Sequence, residues 1–133
     1  MTLLLNIDVP DVETGERFYT AAFGLKVGRR FGTEFIELLG WPATVYLLAK
    51  AAGTVGAGGD LRRYGRHWTP VHADIVVHDV DAAVERAVGA GARLEAPAKD
   101  TAYGRIAMLA DPFGHGFCLL QFNQKGYDAL LAG

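Results

Sequence analysis

The sequence predicts an α+β fold made of two βαβββ modules in tandem, and three observations carry that expectation. Residues 104–122, GRIAMLADPFGHGFCLLQF, read as one hairpin. In it two short apolar runs flank Asp111-Pro112-Phe113-Gly114-His115-Gly116, where proline presets φ and the glycines accept positive φ. Next, Leu4-Leu5-Asn6-Ile7-Asp8-Val9-Pro10-Asp11-Val12 superposes without a gap on His72-Ala73-Asp74-Ile75-Val76-Val77-His78-Asp79-Val80, with Ile, Val, Asp and Val coinciding. Finally, the order of strand and helix signals is the same on both sides of a glycine-rich stretch. A lone hairpin is marginal in water, so the last one needs a sheet to join.

Taken in order, residues 3–9 alternate as a strand, with Leu3, Leu5, Ile7 and Val9 on one face and Leu4, Asn6 and Asp8 on the other. Pro10-Asp11 ends it, and Asp11 or Thr14 caps a helix over 12–22. Val12, Phe18, Tyr19 and Ala22 give that helix its apolar side, and Gly24 stops it. Strands follow over 25–31, 34–39 and 43–49, separated by Gly32-Thr33 and Gly40-Trp41-Pro42. Residues 51–69, with glycines, clustered bases and no sustained periodicity, read as a linker holding at most a turn of helix. The pattern then repeats: a strand over 71–77, a helix over 80–90, a stop at Gly91, and strands over 93–95, 105–110 and 117–122. We therefore divide the single domain, 1–133, into module one (3–50), the linker (51–69), module two (70–122) and a C-terminal tail (123–133) whose residues 126–131 form a short helix or fray.

Composition narrows the function. A chain of 133 residues buries roughly two thirds of its unfolded surface, and half of these residues are hydrophobic, so disorder is not expected. With a net charge of −2 and both signs interspersed, no nucleic-acid footprint is visible. No apolar run approaches the roughly 20 residues that span a bilayer. Cys118 is the single cysteine and makes no internal disulfide, and no secretory leader pattern opens the chain, so a cytoplasmic protein is expected. Residues 53–59 lack the spacing and the lysine of a phosphate loop.

The Asp111-Pro112-Phe113-Gly114 turn before a last strand, together with the βαβββ repeat over about residues 3–122, resembles the vicinal oxygen chelate superfamily, which includes glyoxalase I, extradiol dioxygenases and bleomycin-resistance proteins. The resemblance implies two curved mixed sheets around a cavity, with the helices on the outside. Leu5, Ile7, Val9, Ala73, Ile75 and Val77 would then lie under the helices, and Leu4, Asn6, Asp8, His72, Asp74 and Val76 would face the cavity. It further implies a homodimer, since family modules pair within a chain or across two chains and open sheet edges invite pairing.

Metal-using members of the superfamily take one ligand from the first strand and one from the last strand of each module. Those positions fall here on Leu4, Tyr46, His72 and Cys118. Leucine is no ligand and phenol ionises only near pH 10, so one imidazole and one thiol remain, too few for a stable divalent site. No metal and no cofactor are expected. Cys118 reads first as a small buried hydrophobe. His72 is open to three roles, as a structural residue, a ligand hydrogen-bonder or a general base, with Asp74 two residues on along the same face.

The candidate ligand-binding residues are Asn6, Tyr46, His72, Asp74, Cys118, Trp41, Tyr103 and Arg105, and the candidate catalytic pair is His72 with Asp74. Phe35 and Trp68 add aromatic surface, and Arg62, Arg63 and Arg66 in the linker add bases that would receive an anion or a carbonyl. The leading expectation is a metal-free protein that sequesters a small organic, partly aromatic ligand or antibiotic. Two alternatives stay open: a metal-independent isomerase, epimerase or lyase with His72 as base, and a metal-dependent lyase or dioxygenase.

Overall fold

Strand β1, Leu4–Val9, runs into helix α1, Val12–Phe23, and the switch is made by Asp11, whose Oδ1 accepts from the Thr14 N–H at 2.9 Å. Gly24 closes the helix in the left-handed region at φ 68°. Strands β2 (Lys26–Phe31), β3 (Phe35–Leu39) and β4 (Thr44–Ala49) complete a sheet in the order β1-β4-β3-β2, with β1 parallel to β4 and the other pairs antiparallel. Helix α1 lies directly on this sheet at Gly15, where an added Cβ would come within 3.0 Å of Leu47 and 3.1 Å of Val9. That contact fixes the register. Val9, Ile36, Leu38, Val45 and Leu47 face the helix and are buried, while Asn6, Phe35, Glu37 and Tyr46 occupy the opposite face.

The second module repeats the plan. Strand β5 (Ala73–Val76), helix α2 (Val80–Ala90), and strands β6 (Arg93–Thr101), β7 (Gly104–Ala110) and β8 (Gly116–Phe122) form a mixed sheet in the order β5-β8-β7-β6. Asp79 caps α2 by accepting from the Ala82 N–H at 3.1 Å, and the Gln121 Oε1 accepts from the Val80 N–H at 2.9 Å. Gln121 therefore points to the helix, and with it Phe117 and Leu119, which leaves Cys118, Leu120 and Phe122 on the other face. Burying each large aliphatic side chain such as Leu109, Leu119 or Leu120 stabilises the fold by roughly 1.5–3 kcal/mol.

The structure, a computed structural model, describes residues 1–131, and the chain divides into two compact units, Met1–Gly65 and the part from Arg66 onward, a boundary inside the 51–69 linker. Three expectations change. Strand β6 runs nine residues instead of three, with register shifts on both sides of the Ala96 pairing. Pro97 lies inside this strand because β6 is an edge strand, where a missing N–H leaves no ladder partner unsatisfied. Strand β5 is shorter than expected, so His72 precedes it, and Ala73 stays exposed instead of lying under the helix. The linker is more ordered than a bare loop: Gly53 donates to the Arg62 carbonyl and Arg62 to that of Thr54, both at 2.8 Å, around a helical turn at Ala57–Gly59. The tail holds a turn at Gly126–Leu130.

Candidate functional site

In the second unit the parallel pairing of β5 with β8 sets Asp74 opposite Cys118. His72, two residues before Asp74, places its Nε2 at 3.2 Å from Asp74 Oδ1. The three donor atoms of His72, Asp74 and Cys118 lie within 4.8 Å of one another. Burial, followed by the charge and hydrogen bonding of Asp74, pushes the Cys118 thiol up to about 11. At neutral pH the sulfur is protonated and donates to Asp74, so one carboxylate serves both neighbours.

Beside this group lies a pocket of about 130 Å³ lined by Trp68, His72, Met108, Phe117 and Cys118, with Arg66 and Glu95 among the remaining walls. Arg66 is bound to Glu95 through Nε at 2.7 Å and Nη2 at 3.1 Å, and through Nη1 to the His67 carbonyl at 2.6 Å. The Arg66 guanidinium holds the Glu95 carboxyl below the usual carboxylate range, against the opposing effect of burial. Trp68 is 75% exposed and stands in the wall of this pocket.

The first unit carries the repeat mates on the matching face. Asn6 pairs with Tyr46 as Asp74 pairs with Cys118. Tyr46 donates its hydroxyl to Glu37 Oε2 at 2.9 Å, and Glu37, only 7% exposed, is also held by the Arg29 guanidinium, Nη2 to Oε2 at 2.7 Å. These bonds, led by Arg29, bring the Glu37 carboxyl down to about 2. Phe31, Phe35 and Tyr46 form a row of rings on this face, with centroids 4.7 and 5.2 Å apart, and Arg29 sits over Phe31 at 5.2 Å.

Of the candidate residues, the structure brings His72, Asp74 and Cys118 together and places Asn6 beside Tyr46. It does not bring the other three to the pocket. Trp41 packs on Phe23 at 5.2 Å, and Tyr103 packs on Tyr127 at the same distance. Arg105 points to the helix side of its sheet, where it binds Asp81 at 3.1 Å and Asp100 at 3.0 Å. Alternation along β7 explains this placement, because Arg105 shares its face with the buried Ala107 and Leu109. Among the linker bases, Arg62 binds Asp8 at 2.8 Å and Arg63 approaches Asp60 at 3.8 Å. The sequence reading missed Glu37 and Glu95. For Glu37 a signal existed: a carboxylate at the centre of FIELL, one hairpin away from Arg29-Arg30.

The four strand positions that hold the superfamily's metal carry few donors here. Leu4 has no donor atom and the Tyr46 hydroxyl is committed to Glu37, so two of the four strand positions supply nothing and only His72 and Cys118, with Asp74 beside them, offer donors. The residues do not fit a divalent cation held by four strand ligands.

The sequence profile of the glyoxalase-like domain family matches residues 5–120. The chain belongs to the glyoxalase-like domain family. It is thereby a member of the vicinal oxygen chelate superfamily, with the α+β fold of two successive βαβββ modules. Among curated relatives, an anthracycline biosynthesis protein of Streptomyces peucetius, DnrV, is 42% identical over 84 residues, which is 62% of this chain and 28% of that protein. Another, DauV of Streptomyces sp. strain C5, is 34% identical over 119 residues, 86% of this chain and 38% of that protein. This glyoxalase-like chain thus spans well under half the length of either. The same fold occurs in a glyoxalase/bleomycin resistance protein/dioxygenase family enzyme of Burkholderia phytofirmans, with a TM-score of 0.69, 19% identity, and 90% and 97% of the two chains covered.

Proposed function

We propose that this glyoxalase-like chain binds a planar, oxygen-bearing aromatic molecule with one edge in the small open pocket of its second unit and its ring face on the exposed Trp68, and that it does so without a metal or other cofactor. The observation that carries the reading is Trp68, 75% exposed against a pocket that also holds the imidazole of His72 and the thiol of Cys118. An exposed indole is a stacking surface, and a few convergent polar groups on apolar walls fix a ligand's orientation. Two relatives that bear the name anthracycline biosynthesis protein support the chemical class, since an anthracycline is a planar oxygenated ring system.

Isothermal titration calorimetry with a hydroxyanthraquinone tests this. Saturable binding is expected, and Trp68→Leu and His72→Ala each weaken it about tenfold, near 1.4 kcal/mol, while Arg17→Ala does not. Absence of saturable binding, or equal affinity in both pocket variants, contradicts the reading.

The proposal includes self-association. Both sheets end in open edge strands, and Leu4, Val76 and Met108, on the faces turned from the helices, are 50%, 58% and 51% exposed. Sedimentation at micromolar concentration is expected to give a dimer, and a monomer speaks against it. No membrane and no nucleic acid enter this proposal; among the described residues no helix is long and apolar enough to cross a membrane.

A second reading rests on the 3.2 Å contact of His72 Nε2 with Asp74. With Nε2–H donated to that carboxylate, Nδ1 is left as a base for a proton on a carbon acid, and Asp74 stabilises the imidazolium that forms. Solvent-deuterium incorporation into a bound ligand, lost in His72→Ala, marks this enzyme role.

A further inference from the structure

Gly116, the first residue of β8, is absent from the positive-φ glycines, so its backbone is one that any residue adopts. The reason for glycine here is a neighbour. A Cβ at this position would fall 2.5 Å from Arg66 Nη2, 2.9 Å from Cζ and 3.1 Å from Nη1. The guanidinium occupies the space a side chain would fill, and since Arg66 is flexible, an added methyl displaces the arginine instead of breaking the strand.

Seated there, Arg66 is nearly saturated. Its Nε and one Nη2 hydrogen go to Glu95, and its Nη1 hydrogens go to the carbonyls of His67 at 2.6 Å and Gly114 at 3.5 Å. Of the five hydrogens of a guanidinium, the second on Nη2 has no acceptor among the described residues. Arg66 lines the pocket beside Trp68, Met108 and Phe117, and its side chain is 24% exposed. A donor seated by its hydrogen bonds against mostly apolar walls calls for an acceptor. Glu95 already balances the positive charge, so a neutral oxygen is favoured over a carboxylate, which would be repelled by the acid next to it.

We infer that Arg66 is the specificity-determining residue of this pocket, donating its remaining Nη2 hydrogen to a carbonyl oxygen of the planar ligand, and that Gly116 serves to seat it. This rests on the ligand-binding reading above and adds what that reading leaves open, the feature by which one planar ring system is told from another.

Two probes of similar shape separate the ideas: a hydroxyanthraquinone, which has ring carbonyls, and the corresponding hydroxyanthracene, which has none. Calorimetry on the full chain is expected to show the quinone bound about tenfold or more tightly than the anthracene by the wild type. Arg66→Leu and Gly116→Ala are each expected to bring the two affinities within about threefold, mainly by weakening the quinone. The double variant is expected to lose nothing more, because the glycine acts only through the arginine. Circular dichroism checks the fold, and if Gly116→Ala does not fold, Arg66→Leu alone decides. Equal binding of the two probes by the wild type overturns this inference and leaves the ligand-binding reading standing. A preference kept in Arg66→Leu also overturns it. Binding of neither probe removes both.

Discussion

Cys118 illustrates how surroundings decide what a residue type does. A thiol on the last strand of a glyoxalase-like module occupies a superfamily ligand position, yet burial and the neighbouring Asp74 carboxylate push it up to about 11. The thiolate, not the thiol, is the nucleophile, so Cys118 should resist alkylation by iodoacetamide near pH 7 in the folded chain. Modification is expected to accelerate only as the pH rises toward that value, or on unfolding, and Asp74→Asn should bring the acceleration to lower pH by removing the adjacent negative charge. Rapid labelling of the folded wild type at neutral pH would show that the thiol is not held in this way. His72 and Asp74 were legible as neighbours because an i, i+2 spacing puts them on one face, whereas Cys118 joined them only through the superfamily resemblance, which assigns it a last-strand position four residues after Gly114. Glu95 was not legible, since its partner Arg66 lies 29 residues away and no local pattern links them.

At the level of elements, the closing hairpin depends on one buried acid. Asp111, 4% exposed, accepts from the Phe113 N–H at 2.8 Å and from the His115 N–H at 2.9 Å through the same Oδ1. Its own N–H donates to the His115 carbonyl at 2.8 Å. Asp111→Ala leaves two backbone donors without their acceptor in a turn that joins β7 to β8, and a loss of roughly 1–3 kcal/mol for each is expected. Urea denaturation should show the lowered midpoint, and a midpoint unchanged from wild type would mean that the turn is held by proline and glycine alone. The helices and this hairpin could be read because their caps and turns are local: Asp11, Asp79, Gly24, Gly91 and the Asp-Pro pair all act within a few residues. The length of β6 could not, because its bulges answer to β7 and to the edge position.

For the whole molecule, the repeat was the informative signal. Asn6 with Tyr46 and Asp74 with Cys118 hold equivalent places in the two sheets, and the gapless match of the first strands already made Asn6 the counterpart of Asp74. The chemistry at those places has diverged. The first unit closes its polar groups into the Arg29–Glu37–Tyr46 cluster, whereas the second sets His72, Asp74 and Cys118 beside a pocket. The repeat therefore fixes which positions of the two sheets correspond and leaves their chemistry to side chains. The central claim is that an oxygenated planar ligand occupies the second unit's pocket against Trp68. Nuclear magnetic resonance of the nitrogen-labelled chain during titration with a hydroxyanthraquinone tests it most directly. The account predicts saturable shifts at the Trp68 indole N–H and at the amides of Arg66, His72, Gly116 and Cys118; shifts confined to other residues, or none at saturating ligand, would contradict it.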